Sequence, residues 1–223
     1  MPEMKKEREQ LGKHWKTLLL YGVLYNNPVL IGALGMCPVI AAGYTLKNGV
    51  TLSLILAVLM IPTCVVSSLL FRRVARWIRI PLIVLLSSVL YGGAYWAVRY
   101  FLPGMPDALG LYGPLMIVNS VIISRADDFS TKHCVSFAAV NAVACSAGFA
   151  LVICIASAVR EIFAYGTIGG YVLLESYHEI PAVAMPFFGF IVLGYLGALF
   201  KGFRNKKQER KHTKSSQERG AER

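Results

Sequence analysis

Acidic residues are scarce in this chain of 223 residues: 12 Asp and Glu stand against 23 Lys and Arg, and charged residues make up only 16%. Nothing in that small set is arranged for hydrolysis. His14, His133 and His178 show no HxxxH spacing, and no Ser-His-Asp or paired-carboxylate arrangement can be placed. A P-loop and a GxGxxG fingerprint are also missing, so nucleotide or dinucleotide binding belongs, if anywhere, to partner proteins. The five cysteines, Cys37, Cys64, Cys134, Cys145 and Cys154, are odd in number and have neither CxxC nor CxxH spacing. No self-contained metal motif results. No signal peptide is expected either, because the basic amino end leads into a long apolar run rather than a short h-region with a cleavage site. The amino terminus is therefore expected to be retained.

What the chain has instead is apolar length. Hydrophobic residues make up 56%, above the roughly 45–50% of soluble domains. Between basic ends, uncharged runs of about 20 residues recur, each long enough to cross about 30 Å of hydrocarbon. These predict an all-α membrane protein with six transmembrane helices at 17–46, 50–71, 80–102, 109–125, 134–159 and 181–203. The organisation expected is a basic amino end over 1–16, a transmembrane domain over 17–203, and a disordered basic tail over 204–223. The transmembrane domain divides into halves of about 17–102 and 109–203.

Orientation follows from the basic residues. With both ends cytoplasmic, 20 Lys and Arg lie inside and three outside, the three being Lys47, Arg99 and Arg160. An odd number of spans would spoil that bias. The chain is thus expected to be a multi-pass membrane protein with both termini cytoplasmic. The segment Lys201 to Arg223 reads as a tail drawn to anionic lipid headgroups. It lacks the aromatic interleaving of a nucleic-acid binder, so nucleic acid is not an expected partner.

Polar residues interrupt two of the apolar runs at corresponding places. Asn26-Asn27-Pro28 and Gly35-Met36-Cys37-Pro38 break the first; Gly113-Pro114 and Asn119-Ser120 break the fourth. Backbone without a partner is tolerated at membrane depth only where protein or a cavity surrounds it, and matched breaks in two halves of a chain point to a site. Asn26, Asn27 and Asn119 either hydrogen-bond the freed backbone groups or contact an ion directly. Cys37 is expected to project from irregular backbone, where a thiolate can be one ligand of a soft-metal or Fe–S centre. Cys64, Cys134, Cys145 and Cys154 fall in no break and read as packing residues.

The stretch Gly113-Pro114-Leu115-Met116-Ile117-Val118-Asn119-Ser120-Val121-Ile122-Ile123-Ser124-Arg125-Ala126-Asp127-Asp128-Phe129 resembles the fourth-helix signature of the small membrane subunits shared by the Rnf and Nqr complexes. That signature runs Pro-Leu-Ile, Asn-Cys, Gly-Arg-Ala-Glu. Asn26-Asn27-Pro28 and Leu34-Gly35-Met36-Cys37-Pro38 are similar to the family's Asn-Asn and Leu-Gly-x-Cys-Pro. Arg79-Ile80-Pro81, Arg160-Glu161-Ile162 and Gly166-Thr167 add further likeness. The Arg-Ala-acidic and Arg-Glu-Ile motifs, with cytoplasmic ends, favour the RnfE and NqrD branch of the family. The resemblance implies two inverted three-helix repeats with helices 1 and 4 broken. It also implies pairing with a sister protein of the RnfA and NqrE branch around a shared 2Fe–2S cluster. Electrons would cross the membrane through that cluster, coupled to movement of Na⁺ or H⁺.

One position departs from the pattern. Where the family has a second cysteine ligand, this chain has Ser120, a harder ligand with a far higher pKa than a thiol. Three readings stay open. The cluster persists with three thiolates and Ser120 as alkoxide or a partner residue; another thiol substitutes; or the chain is a divergent paralogue without the cluster, acting as a small-solute transporter or scaffold.

Charge inside the spans bears on that choice, since transporters normally carry intramembrane charge for coupling. No Asp, Glu, Lys or Arg is expected deep within the six spans. Arg160 and Glu161 are expected as a self-satisfied pair at the outer end of span five. Arg125, Asp127 and Asp128 are expected either as a solvated loop ion pair or as a docking point for a soluble electron-transfer protein of the complex.

Overall fold

Apolar segments in lipid must close their backbone hydrogen bonds within themselves, and helices are the result. The computed structural model describes residues 28–71, 74–101, 110–130, 134–172 and 181–202, and these are almost entirely helical. Asn26 and Asn27, the basic amino end and the tail over 204–223 lie outside the described residues. Two short helices come first, α1 (Pro28–Gly32) and α2 (Met36–Ala42). Then follow the long α3 (Leu46–Leu69) and α4 (Arg76–Phe101).

The fourth apolar run does not form one helix. A 3-10 turn over Pro114–Val118 gives way at Asn119 to α5 (Ser120–Ser124), which continues as a π turn over Arg125–Ser130. The longest helix, α6 (Val135–Tyr165), ends at Gly166 in the left-handed region. It runs past the expected boundary at 159. A short two-stranded antiparallel ribbon follows within this helical fold, pairing Thr167 with Val172 and Ile168 with Tyr171. Two more helices close the described chain, α7 (Pro181–Ala184) and α8 (Pro186–Gly202).

Among the described residues, three helices are long and apolar enough to cross a membrane: Leu46–Leu69, Trp77–Tyr100 and Val135–Tyr165. The pair α3 and α6 forms the centre, with Leu52, Ile55, Leu56, Leu59 and Met60 of one helix and Phe149, Val152 and Ile153 of the other buried. Their close approach depends on small residues, as is usual where lipid removes the hydrophobic drive between helices. A Cβ on Gly49 would meet Ser157 Oγ at 2.6 Å. Helix α4 lies at the periphery. Only 17% of its most apolar stretch is buried, and Trp77, Leu85, Val89, Trp96 and Tyr100 face outward.

Candidate functional site

The two breaks meet. Gly35, at φ 72° in the left-handed region, separates α1 from α2, and its backbone N–H donates to Ser120 Oγ at 2.9 Å. The residues are 85 apart in sequence. No other residue type fits at Gly35: a Cβ there would lie 2.8 Å from Val121 Cγ2, 3.1 Å from Asn119 Oδ1 and 3.2 Å from Phe149. Positive φ excludes most side chains on steric grounds as well.

Asn119 shapes the other side of the junction. Its backbone is extended, and its side-chain Oδ1 accepts from Val121 N at 2.9 Å, capping the first turn of α5. Its Nδ2 donates to Met116 Sδ at 3.3 Å, and the residue is buried. Ser120 follows directly and is exposed. Cys37, in the first turn of α2 and two residues beyond Gly35, is also exposed.

The residues that sequence reasoning singled out therefore divide. Gly35, Asn119 and Ser120 come together, Cys37 stands beside them on α2, and Asn26 and Asn27 lie outside the described residues. The remaining thiols lie elsewhere, Cys64, Cys134 and Cys145 buried and Cys154 half-buried. Among the described residues no three His, Cys, Asp or Glu side chains gather into a metal-binding group. An exposed thiol and an exposed hydroxyl at one junction fit a shared cluster in part, as an incomplete set of donors open to a second protein. They do not fit a cluster held by this chain alone.

Charged residues differ from expectation at two places. Arg160 and Glu161 do not satisfy each other; both are buried on α6, and each binds backbone of other elements. Arg160 Nη1 donates to the carbonyls of Ile40 at 2.7 Å, Gly43 at 3.3 Å and Val39 at 3.4 Å, and Nη2 to Ala184 at 2.8 Å and Met185 at 3.2 Å. These carbonyls lie at the end of α2 and at the break between α7 and α8, where helical partners are missing. Glu161 does the converse. Its carboxylate accepts from Leu46 N at 2.6 Å, and from Thr167 Oγ1 and Gly170 N, each at 3.3 Å. A carboxylate thus caps the start of α3, with Thr45 Oγ1 accepting from Asn48 N at 3.3 Å.

The second correction concerns Asp127. It is buried rather than part of a solvated loop, and its Oδ1 receives Arg79 Nη1 at 3.1 Å across 48 residues. Arg79 Nη2 also donates to the Val74 carbonyl at 2.9 Å, so the pair ties the start of α4 to the π turn. Asp128 remains exposed. The signal for both structural sites was an Arg or acidic residue bordering an apolar run, but the sequence does not name the partner.

The family described as "Rnf-Nqr subunit, membrane protein" matches residues 15–197. The E subunit of the ion-translocating oxidoreductase complex of Shewanella amazonensis is 34% identical over 155 residues, covering 70% of this chain and 67% of the relative. The E subunit of the Na(+)-translocating ferredoxin:NAD(+) oxidoreductase complex of Acetobacterium woodii is 30% identical over 179 residues, covering 80% and 91%. The E subunit of the ion-translocating oxidoreductase complex of Shewanella sp. (strain ANA-3) is 30% identical over 211 residues, covering 88% of this chain and 91% of the relative. With more than half of its length matched and these relatives all named as E subunits, this chain belongs to the Rnf-Nqr family of membrane proteins.

Proposed function

We propose that this chain is the RnfE-type component of an ion-translocating electron transport complex in the bacterial cytoplasmic membrane. It crosses the membrane six times as two inverted three-helix halves, with both ends cytoplasmic. It pairs with a six-helix sister protein, and the two share a 2Fe–2S cluster to which Cys37 contributes a thiolate. The observation that carries this reading is the junction of the two helix breaks at Gly35 and Ser120 with Cys37 exposed beside it. A cluster held there would supply one-electron transfer between carriers on the two sides.

The chain's own residues have three tasks in this reading. Gly35 and Asn119 hold two stretches of irregular backbone against each other, so that freed amides find partners inside the protein. Cys37 presents its thiol at the surface, where a second protein can complete the donor set. Arg160 anchors the far end of the helix that carries Cys37. The buried charges of α6 are spent on backbone groups, which favours an electron conduit over a transporter with a free coupling charge.

The test is metal content. The complex purified with its sister protein should contain iron and acid-labile sulfide, and Cys37→Ala should remove both, because this chain then offers no thiolate at the junction. Wild-type complex without iron, with electron transfer unchanged in Cys37→Ala, would overturn the proposal in favour of a cluster-free scaffold or small-solute transporter.

A further inference from the structure

We infer that Ser120 is a positioning residue: its hydroxyl straps the turn that carries Cys37 to the start of α5, and it is not itself a ligand to iron. The inference rests on the shared-cluster reading for its consequence, but its geometry stands apart from that reading. Ser120 Oγ accepts the Gly35 N–H at 2.9 Å, and Gly35 is buried. That amide precedes α2 and has left-handed geometry, so the turn depends on this oxygen for a partner.

Three neighbours make the strap stiff. Asn119 caps Val121 N from the residue immediately before Ser120, which fixes the backbone of Ser120. Val121 and Phe149 occupy the space where a Cβ of Gly35 would lie, at 2.8 Å and 3.2 Å from that position. Cys37 lies two residues along, within the first turn of α2.

Ligand chemistry points the same way. Iron in a sulfide cluster prefers soft thiolates, and a serine must lose a weakly acidic proton before it binds as alkoxide. An alkoxide could still accept the Gly35 N–H, so it is the cost of losing that proton for a hard ligand, not the hydrogen bond, that disfavours iron binding by Ser120. A neutral hydroxyl keeps that bond and retains its own proton as a donor. Hydrogen bonds to cluster sulfurs tune reduction potential, so removing the hydroxyl should alter the potential without removing the metal.

The experiment compares wild type, Ser120→Ala and Ser120→Thr in the complete purified complex. Three quantities are measured: iron per complex, the reduction potential of the cluster, and hydrogen–deuterium exchange of the peptide containing Gly35. Ser120→Ala should keep its iron, shift the potential and speed exchange at Gly35 by roughly fivefold, the scale of one lost hydrogen bond. Ser120→Thr should restore wild-type exchange and potential. Loss of iron in Ser120→Ala as complete as in Cys37→Ala would overturn the inference and make Ser120 a ligand. Unchanged exchange at Gly35 in Ser120→Ala would overturn it too. A wild-type complex without iron refutes the shared-cluster reading instead, and the exchange measurement still decides whether the strap exists.

Discussion

Arg160 donates to the Ile40 carbonyl at 2.7 Å across 120 residues of sequence, with its guanidinium fully buried. One cation thereby serves two helix interruptions, the end of α2 and the break at Ala184 and Met185. Removing it leaves buried carbonyls unpaired, at about 1–3 kcal/mol for each orphaned group. We expect Arg160→Leu to lower the midpoint of thermal unfolding in detergent and to reduce the folded protein recovered from membranes. Arg160→Lys should rescue only part, since an ammonium lacks the planar fork that reaches both sets of carbonyls. Wild-type stability in Arg160→Leu would show that the clamp contributes nothing.

Gly35 and Gly92 offer a paired test of the junction. Gly35→Ala forces a Cβ to within 2.8 Å of Val121 and into a positive-φ backbone, where non-glycine residues cost roughly 1–2 kcal/mol before any clash. Gly92 lies inside α4, and a Cβ there meets nothing within 4 Å. Gly92→Ala should be neutral or slightly stabilising because alanine favours helix by about 1 kcal/mol over glycine. The same thermal assay on both variants checks the ranking. Equal behaviour would contradict the packing described at Gly35.

Asp127 and Arg79 form a largely buried ion pair, so breaking one side differs from removing both. Asp127→Ala should destabilise the protein by about 1–3 kcal/mol, because the hydrogen-bonded contact with Arg79 is lost in a largely buried setting. The double variant Asp127→Ala with Arg79→Ala should be less damaging than the sum of the two single changes. A double-mutant cycle on unfolding measures the coupling. Simple additivity would place the contribution of Asp127 elsewhere.

The charge asymmetry predicts a topology that fusions can read. A cytoplasm-active reporter fused at Arg223 should be active, and one inserted at Lys47 should be inactive, with a periplasm-active reporter giving the reverse. The same side for both positions would rule out six crossings with cytoplasmic ends.

Sequence reasoning located the breaks because their cause is local. Gly35, Pro114 and Asn119 carry restrictions in their own backbone or side chains: freedom at positive φ, a missing amide hydrogen, and a capping oxygen. The long apolar helices were equally legible, since length without charge needs no knowledge of neighbours. Even the extra turns of α6 were masked only by Arg160 and Glu161, which looked like an end signal and proved to be interior.

Pairing was different in kind. The bond from Gly35 to Ser120 closes 85 residues, Leu46 to Glu161 closes 115, and Arg79 to Asp127 closes 48. No periodicity encodes such matches, because any buried donor requires an acceptor but does not specify which one. The sequence alone determined that this is a membrane protein with interrupted helices and one thiol at an interruption. Only the tertiary structure decided that the interruptions meet, that Ser120 holds an amide, and that the charges of α6 bind backbone. Those facts depend on which helices pack together, and packing brings distant residues into contact.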